Sequence, residues 1–320
     1  MILPIIALIG GLGVLAWSAD VMVDGASATA RHLGLPSLLI GMLIVGFGTS
    51  APELVVSVIA SIQGNPGLAL GNAYGSNIAN IALILGVAAL ISPILVHSKV
   101  LKRELPVLTG VTILALFQIA DGLVSRIDAL ILLFLFMGLI GWSIREGYLQ
   151  RHDTFGDESA IDSPRMDLRL ALLRLFGGIL LLILGSRSLV WGAVEIAEIL
   201  KISDTIIGLT VVAIGTSLPE LASAVAAVRK HEHDLALGNV IGSNLFNTLA
   251  VVGLAGVIKP IQIEPEVLYR DGFLMGALTL SIFATGFGFR SQGKITRWEG
   301  AILAGIYIAY LGYHVWMQVG

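Results

Sequence analysis

Apolar residues run along the chain in blocks of span length, separated by short polar or charged stretches, near residues 2–30, 36–62, 66–92, 105–120, 127–147, 168–198, 204–228, 234–258, 266–289 and 297–318. At about 1.5 Å of rise per residue, such a block crosses the hydrocarbon layer of a bilayer as an α-helix with some tilt. The apolar/polar alternation of barrel strands is absent. The pattern predicts an all-α membrane protein with ten transmembrane helices. The first block has neither a basic flank nor a small-residue cleavage site, so it reads as the first span and not as a removable leader. One long polar stretch, REGYLQRHDTFGDESAIDSPRMDLR, splits the chain into a first half over 1–150, a linker over 151–167 and a second half over 168–320.

The two halves repeat each other. Residues 46–86, GFGTSAPELVVSVIASIQGNPGLALGNAYGSNIANIALILG, align without a gap to residues 213–253, AIGTSLPELASAVAAVRKHEHDLALGNVIGSNLFNTLAVVG, and 18 of the 41 positions are identical. The offset of 167 residues also matches Ile40-Gly41 to Ile207-Gly208, Pro93-Ile94 to Pro260-Ile261 and Arg103 to Arg270. Each half holds five predicted spans, and an odd number turns the second half upside down relative to the first. The expected architecture is therefore two inverted five-helix repeats.

Charge placement supports inversion. With the N-terminus outside, the inward connections collect Arg31, Lys99, Lys102, Arg103, Arg145, Arg151, Arg165, Arg169, Arg174, Arg229, Lys230, Arg290, Lys294 and Arg297, and the outward side keeps Arg126, Lys201, Lys259 and Arg270. This positive-inside bias puts both termini on the non-cytoplasmic side of a plasma membrane, a bacterial inner membrane. The matched connections HSKVLKREL and KPIQIEPEVLYRD carry opposite charge biases. Composition agrees with the membrane reading. Hydrophobic residues make up 56% of the 320 and charged residues 13%, about half the charge of a soluble domain. With no cysteine there is neither a disulfide framework nor a thiolate metal site.

Each repeat buries one acid in apolar surroundings, Glu53 in GTSAPE and Glu220 in GTSLPE. An ionisable group at membrane depth costs roughly 2.5–3.5 kcal/mol on insertion scales and is a functional candidate by default. Proline and glycine around it permit a helix break, which would free carbonyls such as those of Gly46 and Ala213. Thr49, Ser50, Thr216 and Ser217 add hydroxyls, with back-bonding to helix carbonyls as their alternative role. On the next span GNAYGSNIAN or GNVIGSNLFN puts Ser76 with Asn80, and Ser243 with Asn247, on one helix face. Helix-to-helix hydrogen bonding is the alternative for these four. Gly71, Gly75, Gly238 and Gly242 form small-xxx-small pairs suited to close helix packing. Carboxylates, hydroxyls, amides and carbonyls make an all-oxygen set, which suits Ca²⁺ and Na⁺ and suits soft transition metals poorly.

GTSxPE followed by GNxxGSNxxN, present twice in inverted halves, resembles the two alpha-repeats of the calcium/cation antiporter superfamily, specifically the sodium/calcium exchanger type of prokaryotic inner membranes. The resemblance covers nearly the whole chain. It implies a central Ca²⁺ site at Glu53, Glu220, Thr49 and Thr216. It also implies flanking Na⁺ sites at the Gly46 and Ala213 carbonyls and at Ser50, Ser217, Ser76 and Ser243, with the first and sixth spans sliding across the core. Where some relatives carry aspartate this chain has Asn247, so the resemblance implies potassium independence.

The expected function is a secondary active antiporter that exchanges Na⁺ for Ca²⁺ by alternating access. It is not an enzyme and needs no cofactor; Ca²⁺ and Na⁺ are its substrates, the bilayer is its partner, no nucleic acid is implied, and a monomer suffices. Proton-coupled cation exchange and a passive cation channel remain open as alternatives. Asn72, Asn77, Asn239 and Asn244 read as packing or backbone-satisfying groups. Asp20, Asp24 and Arg187 read as groups with local or interfacial partners, and His231-Glu232-His233-Asp234 as a solvated turn. The linker acids Asp153, Asp157, Glu158 and Asp162 lack EF-hand spacing.

Overall fold

The computed structural model describes residues 2–97, 100–150, 166–200, 213–286 and 293–319. The linker acids lie outside the described residues. The long apolar blocks fold as helices: α1 (Ile2–Leu33), a bent pair α2 (Ser37–Thr49) and α3 (Ala51–Ile62), α4 (Pro66–Ile91), α5 (Leu105–Ile119) and α6 (Arg126–Gln150) in the first half. The second half follows with α7 (Leu168–Ile199), the short α8 (Ala213–Thr216), α9 (Leu218–Arg229), α10 (His233–Ile258), α11 (Phe273–Gly286) and α12 (Arg297–Val319).

Among the described residues, seven helices are long and apolar enough to cross a membrane, and the bent pair α2–α3 would be an eighth. Ten were expected. The difference has a local cause at two places. α5 has 15 α-helical residues after a π-helical turn at Val100–Glu104, and the block expected over 204–228 is described only from Ala213. Large apolar side chains such as Trp17, Phe134, Phe176 and Trp316 are exposed around the outside, as a lipid-facing belt requires.

The 167-residue offset recurs in the elements themselves. α9 and α10 begin and end 167 residues after α3 and α4. π-helical turns open at Asn80 and Asn247, and again at Val100 and Val267. Such turns concentrate at functional sites. The motif helices form the interior: in α10 every residue from Leu235 to Gly253 is buried.

α1 and its counterpart α7 pack antiparallel along a seam of small residues. A Cβ on Gly25 would lie 2.4 Å from the Leu175 amide nitrogen, on Gly178 2.5 Å from Met22 Cβ, on Gly185 3.0 Å from the Leu15 nitrogen, and on Gly192 2.5 Å from the Pro4 carbonyl. Backbone contact this close is possible only without side chains.

The all-α expectation needs one amendment, because two short antiparallel β pairs tie the halves together at the bundle ends. β1 (Ile94–Val96) pairs with β4 (Gly293–Ile295), in register Ile94 with Ile295, and β2 (Leu123–Val124) pairs with β3 (Ile261–Gln262), in register Leu123 with Gln262. β1 and β3 are repeat equivalents, yet β1 lies before α5 and β3 pairs with the strand after it.

Candidate cation site

The site forms where the two helix breaks face each other. α2 and α3 meet at 44° across Ser50, whose backbone (φ −84°, ψ 7°) leaves the helix. The second break repeats this at Ser217 (φ −90°, ψ 5°). The cause is the proline two residues on, Pro52 or Pro219, which has no N–H to donate and crowds the carbonyl four residues back. For Pro219 that carbonyl is Gly215, and the Ser186 hydroxyl of α7 donates to it at 2.8 Å. The breaks expose two helix N-termini, whose partial positive ends favour anions. Glu53 and Glu220 occupy the first turns of α3 and α9.

Both carboxylates are 1% exposed and near enough for Glu220 to act on Glu53 electrostatically. The sequence S-x-x-E at each break could form a local capping box, but neither serine caps its own helix. Ser50 instead donates across the repeats to Glu220 Oε1 at 2.8 Å. Glu53 Oε1 and Oε2, Glu220 Oε2 and Ser217 Oγ have no hydrogen-bond partner among the described residues. Buried acceptors normally find donors, so a cluster of orphaned oxygens around two acids marks a place for a cation.

The neighbouring oxygens are held by a matched scaffold. Asn72 donates to the Glu53 carbonyl and Asn239 to the Glu220 carbonyl, each at 3.2 Å. These two asparagines satisfy the glutamates' backbone, one of the roles the sequence suggested for them. Thr49 donates its hydroxyl to the Val45 carbonyl at 3.0 Å, with Gly46 O and Asn239 Oδ1 at 3.3 Å. Back-bonding is therefore present at Thr49, and lone pairs remain on its oxygen.

The break does not leave the Gly46 carbonyl bare, because it accepts the Ser50 N–H and the Ser243 hydroxyl, each at 3.1 Å. Asn80 donates to Asn244 Oδ1 at 2.9 Å, while Asn80 Oδ1 and both amide atoms of Asn247 lack partners among the described residues. Ser76 is buried and Thr216 half-buried. Ala213 opens α8. Gly238 and Gly242 pack against the backbone of Leu38 and Met42, whereas no atom lies within 4 Å of a Cβ placed on Gly71 or Gly75 among the described residues.

Chemically equivalent positions are unequally covered. Thr49, Asn239 and Ser243 are fully buried, but their counterparts Thr216 and Asn72 are half-buried, and Gly71 is exposed where Gly238 is buried. Among the described residues, these equivalent positions are more covered on the side of the 229–234 turn than on the side of the 63–66 turn. Beside the 229–234 turn Lys230 Nζ binds Asp24 at 2.5 Å and the Asp20 carbonyl at 2.8 Å. This gives Asp20 and Asp24 a partner from the other half of the chain. In the same turn Arg31 faces Glu232 at 4.0 Å and His97 Nδ1 meets Asp234 at 2.7 Å. Among the described residues no group of three His, Cys, Asp or Glu side chains is placed to hold a metal.

Several of these connections were beyond the sequence reading. Ser186–Gly215 and Asn80–Asn244 join distant segments, and no local pattern announces them. The α1–α7 seam did have a signal, since Gly11 and Gly25 recur 167 residues on as Gly178 and Gly192.

Comparison with known proteins draws these observations together. A family profile described as sodium/calcium exchanger protein matches residues 3–145 and 170–316, which takes in both halves. The inner membrane protein YrbG of Escherichia coli is 42% identical over 99% of this chain and 98% of its own length. The sodium/calcium exchanger MaX1 of Methanosarcina acetivorans is 33% identical over 94% and 95%. A structure of the sodium-calcium exchanger NCX_Mj, soaked with zero Na⁺ and Ca²⁺, superposes with a TM-score of 0.84 at 33% identity, covering 97% of this chain and 98% of that one. With a profile spanning both repeats, relatives aligned almost end to end and a matching fold, the chain belongs to the sodium/calcium exchanger family of membrane antiporters.

Proposed function

We propose that this antiporter exchanges Na⁺ for Ca²⁺ across the inner membrane by alternating access, with Glu53 and Glu220 at the central cation site. The observation that carries the reading is that three of the four oxygens of two fully buried carboxylates have no hydrogen-bond partner among the described residues. A buried charge pair in that condition needs a cation, and hard oxygen ligands suit Ca²⁺ or Na⁺. One Ca²⁺ balances both charges; Na⁺ ions at the flanking oxygens balance them equally, so the two occupancies exclude each other.

Residue roles follow from the resemblance. Thr49 and Thr216 join the glutamates around Ca²⁺. Ser50, Ser217, Ser76, Ser243 and the carbonyls of Gly46 and Ala213 serve Na⁺, and Asn80 and Asn247 add amide oxygens. With an amide at Asn247 the exchange is independent of potassium. The names of the relatives MaX1 and NCX_Mj support Na⁺ and Ca²⁺ as the substrates.

Ten spans in two inverted halves, 1–150 and 168–320 about a cytoplasmic linker over 151–167, fit this function. Inversion is supported by the antiparallel packing of α1 on α7 and by β1 and β3 lying at opposite ends of α5. Alternating access is supported by the unequal burial of equivalent residues. The positive-inside pattern supports an orientation with the 63–66 turn and both termini outside the cytoplasm.

The test is flux in liposomes loaded with Na⁺ and diluted into Na⁺-free buffer containing radioactive Ca²⁺. Uptake is expected only with the outward Na⁺ gradient. Uptake that follows a pH gradient and ignores Na⁺ would reassign the coupling to protons, and uptake without any counter-ion would indicate a channel.

A further inference from the structure

Four side-chain amides from the two motifs meet between α4 and α10: Asn77, Asn80, Asn244 and Asn247, each at most 1% exposed. An amide presents two unlike ends, an oxygen that can ligate a cation and an NH₂ that repels one. Which end reaches a cation is decided by what holds the other. Asn80 Nδ2 donates to Asn244 Oδ1 at 2.9 Å, and Asn80 Oδ1 is left without a partner among the described residues.

We propose that Asn244 is a positioning residue for cation selectivity, which occupies the nitrogen end of the Asn80 amide and so keeps the oxygen end for the transported ion. This rests on the proposed site with Asn80 among its ligands. Asn244 itself need not touch the ion.

The repeat supplies an internal comparison. The mirror image of this bond would run from Asn247 Nδ2 to Asn77 Oδ1, and it is not formed: both polar atoms of the Asn247 amide, and Asn77 Oδ1, lack partners among the described residues. Asn77 is held elsewhere, donating to Thr248 Oγ1 at 2.8 Å and approaching Met275 Sδ at 3.5 Å. The counterpart of Thr248 is Ile81, whose side chain has no polar atom, so nothing equivalent draws Asn244 away from Asn80. Two ligand amides with the same motif around them therefore differ, Asn80 clamped and Asn247 without a clamp among the described residues. Selectivity among hard cations depends on ligand rigidity, and removing the group that orients a ligand typically costs 10–100-fold in metal affinity.

The experiment measures Ca²⁺ binding, transport and melting temperature for Asn244→Ala, Asn80→Ala, the double variant and Glu53→Gln. Expected is a rise of about tenfold in half-saturating Ca²⁺ for Asn244→Ala, over and above the fall in cation-free melting temperature that the unpaired Asn80 amide causes. Adding it to Asn80→Ala should produce no further rise, because the effect passes through Asn80. Should Asn244→Ala not fold, Asn244→Leu removes the acceptor without opening a cavity.

Normal half-saturation with a lowered melting temperature would overturn the proposal and leave Asn244 as a link between helices. Shifts that add in the double variant would overturn it too. If Glu53→Gln and Asn80→Ala both bind Ca²⁺ normally, the site reading itself fails and the positioning role falls with it. Loss in those two alongside normal Asn244→Ala removes the positioning role alone.

Discussion

At the scale of single residues, the two glutamates have the same motif but different surroundings. Glu220 receives the Ser50 hydroxyl, whereas Glu53 receives no donor from the described residues. A buried carboxylate without a partner destabilises the cation-free protein, and removing its charge relieves that cost. Glu53→Gln should therefore abolish exchange and yet melt at the same temperature as the parent, or higher, without Ca²⁺. The parent should gain stability as Ca²⁺ is added, by about 2.7 kcal/mol at a hundredfold excess over Kd, and Glu53→Gln should gain none. Melting curves in detergent with and without Ca²⁺ check both statements. The acids, hydroxyls and amides were legible because the chain writes them twice. The direction of their bonds was not: Ser50 reads as a companion of Glu53, and only the packing of the halves turns it towards Glu220.

At the scale of elements, glycines sort into those with backbone against them and those without. The small-xxx-small pair Gly238 and Gly242 is visible from spacing, but the seam glycines lie fourteen residues apart at Gly11 and Gly25 and seven apart at Gly178, Gly185 and Gly192, a longer spacing than that motif. A Cβ on Gly25 meets the Leu175 nitrogen at 2.4 Å, and on Gly13 it meets nothing within 4 Å. Gly25→Val should lower the melting temperature and transport together, at a cost of about 1–3 kcal/mol, while Gly13→Val should leave both near normal.

The helix break offers a second measurement at this scale. Ser186→Ala strips a hydroxyl donor from the Gly215 carbonyl, which Pro219 cannot serve, and should cost about 1–3 kcal/mol. Pro219→Ala returns a backbone N–H to that carbonyl. Combined with Ser186→Ala it should recover part of the lost stability, at the expense of the bend that presents Glu220. A double variant no more stable than Ser186→Ala would show that the bend has another cause. Span counting, by contrast, was weakest at these breaks, since a hydropathy block does not reveal where the α-helix gives way to a π turn or a kink.

At the scale of the whole molecule, two like halves are unequally covered among the described residues. Gly71 is exposed and Gly238 is buried, and the more covered end carries the Lys230–Asp24 ion pair between α9 and α1. Its repeat counterparts are Gln63 and Trp191, so the opposite end has no matching pair. On the proposed alternating-access cycle, α1 must part from that turn when the site opens inward, and the pair must break. Both partners are partly exposed, so the contribution is of the order of 0.2–1 kcal/mol, equivalent to a population shift of about 1.4-fold to fivefold.

The cysteine-free sequence makes this measurable. Gly71→Cys, whose Cβ meets no atom of the described residues within 4 Å, should react with a membrane-impermeant thiol reagent from the side of the 63–66 turn only. Adding Asp24→Asn should slow that reaction by up to about fivefold as inward-open molecules accumulate, and Lys230→Met should do the same. High salt should reproduce the effect in the parent, because an exposed ion pair is screened. Labelling equal from both sides, or rates indifferent to Asp24 and Lys230, would separate the ion pair from the access equilibrium. The pair would then be a surface contact, and the closure would rest on the backbone packing of Gly238 and Gly242 alone.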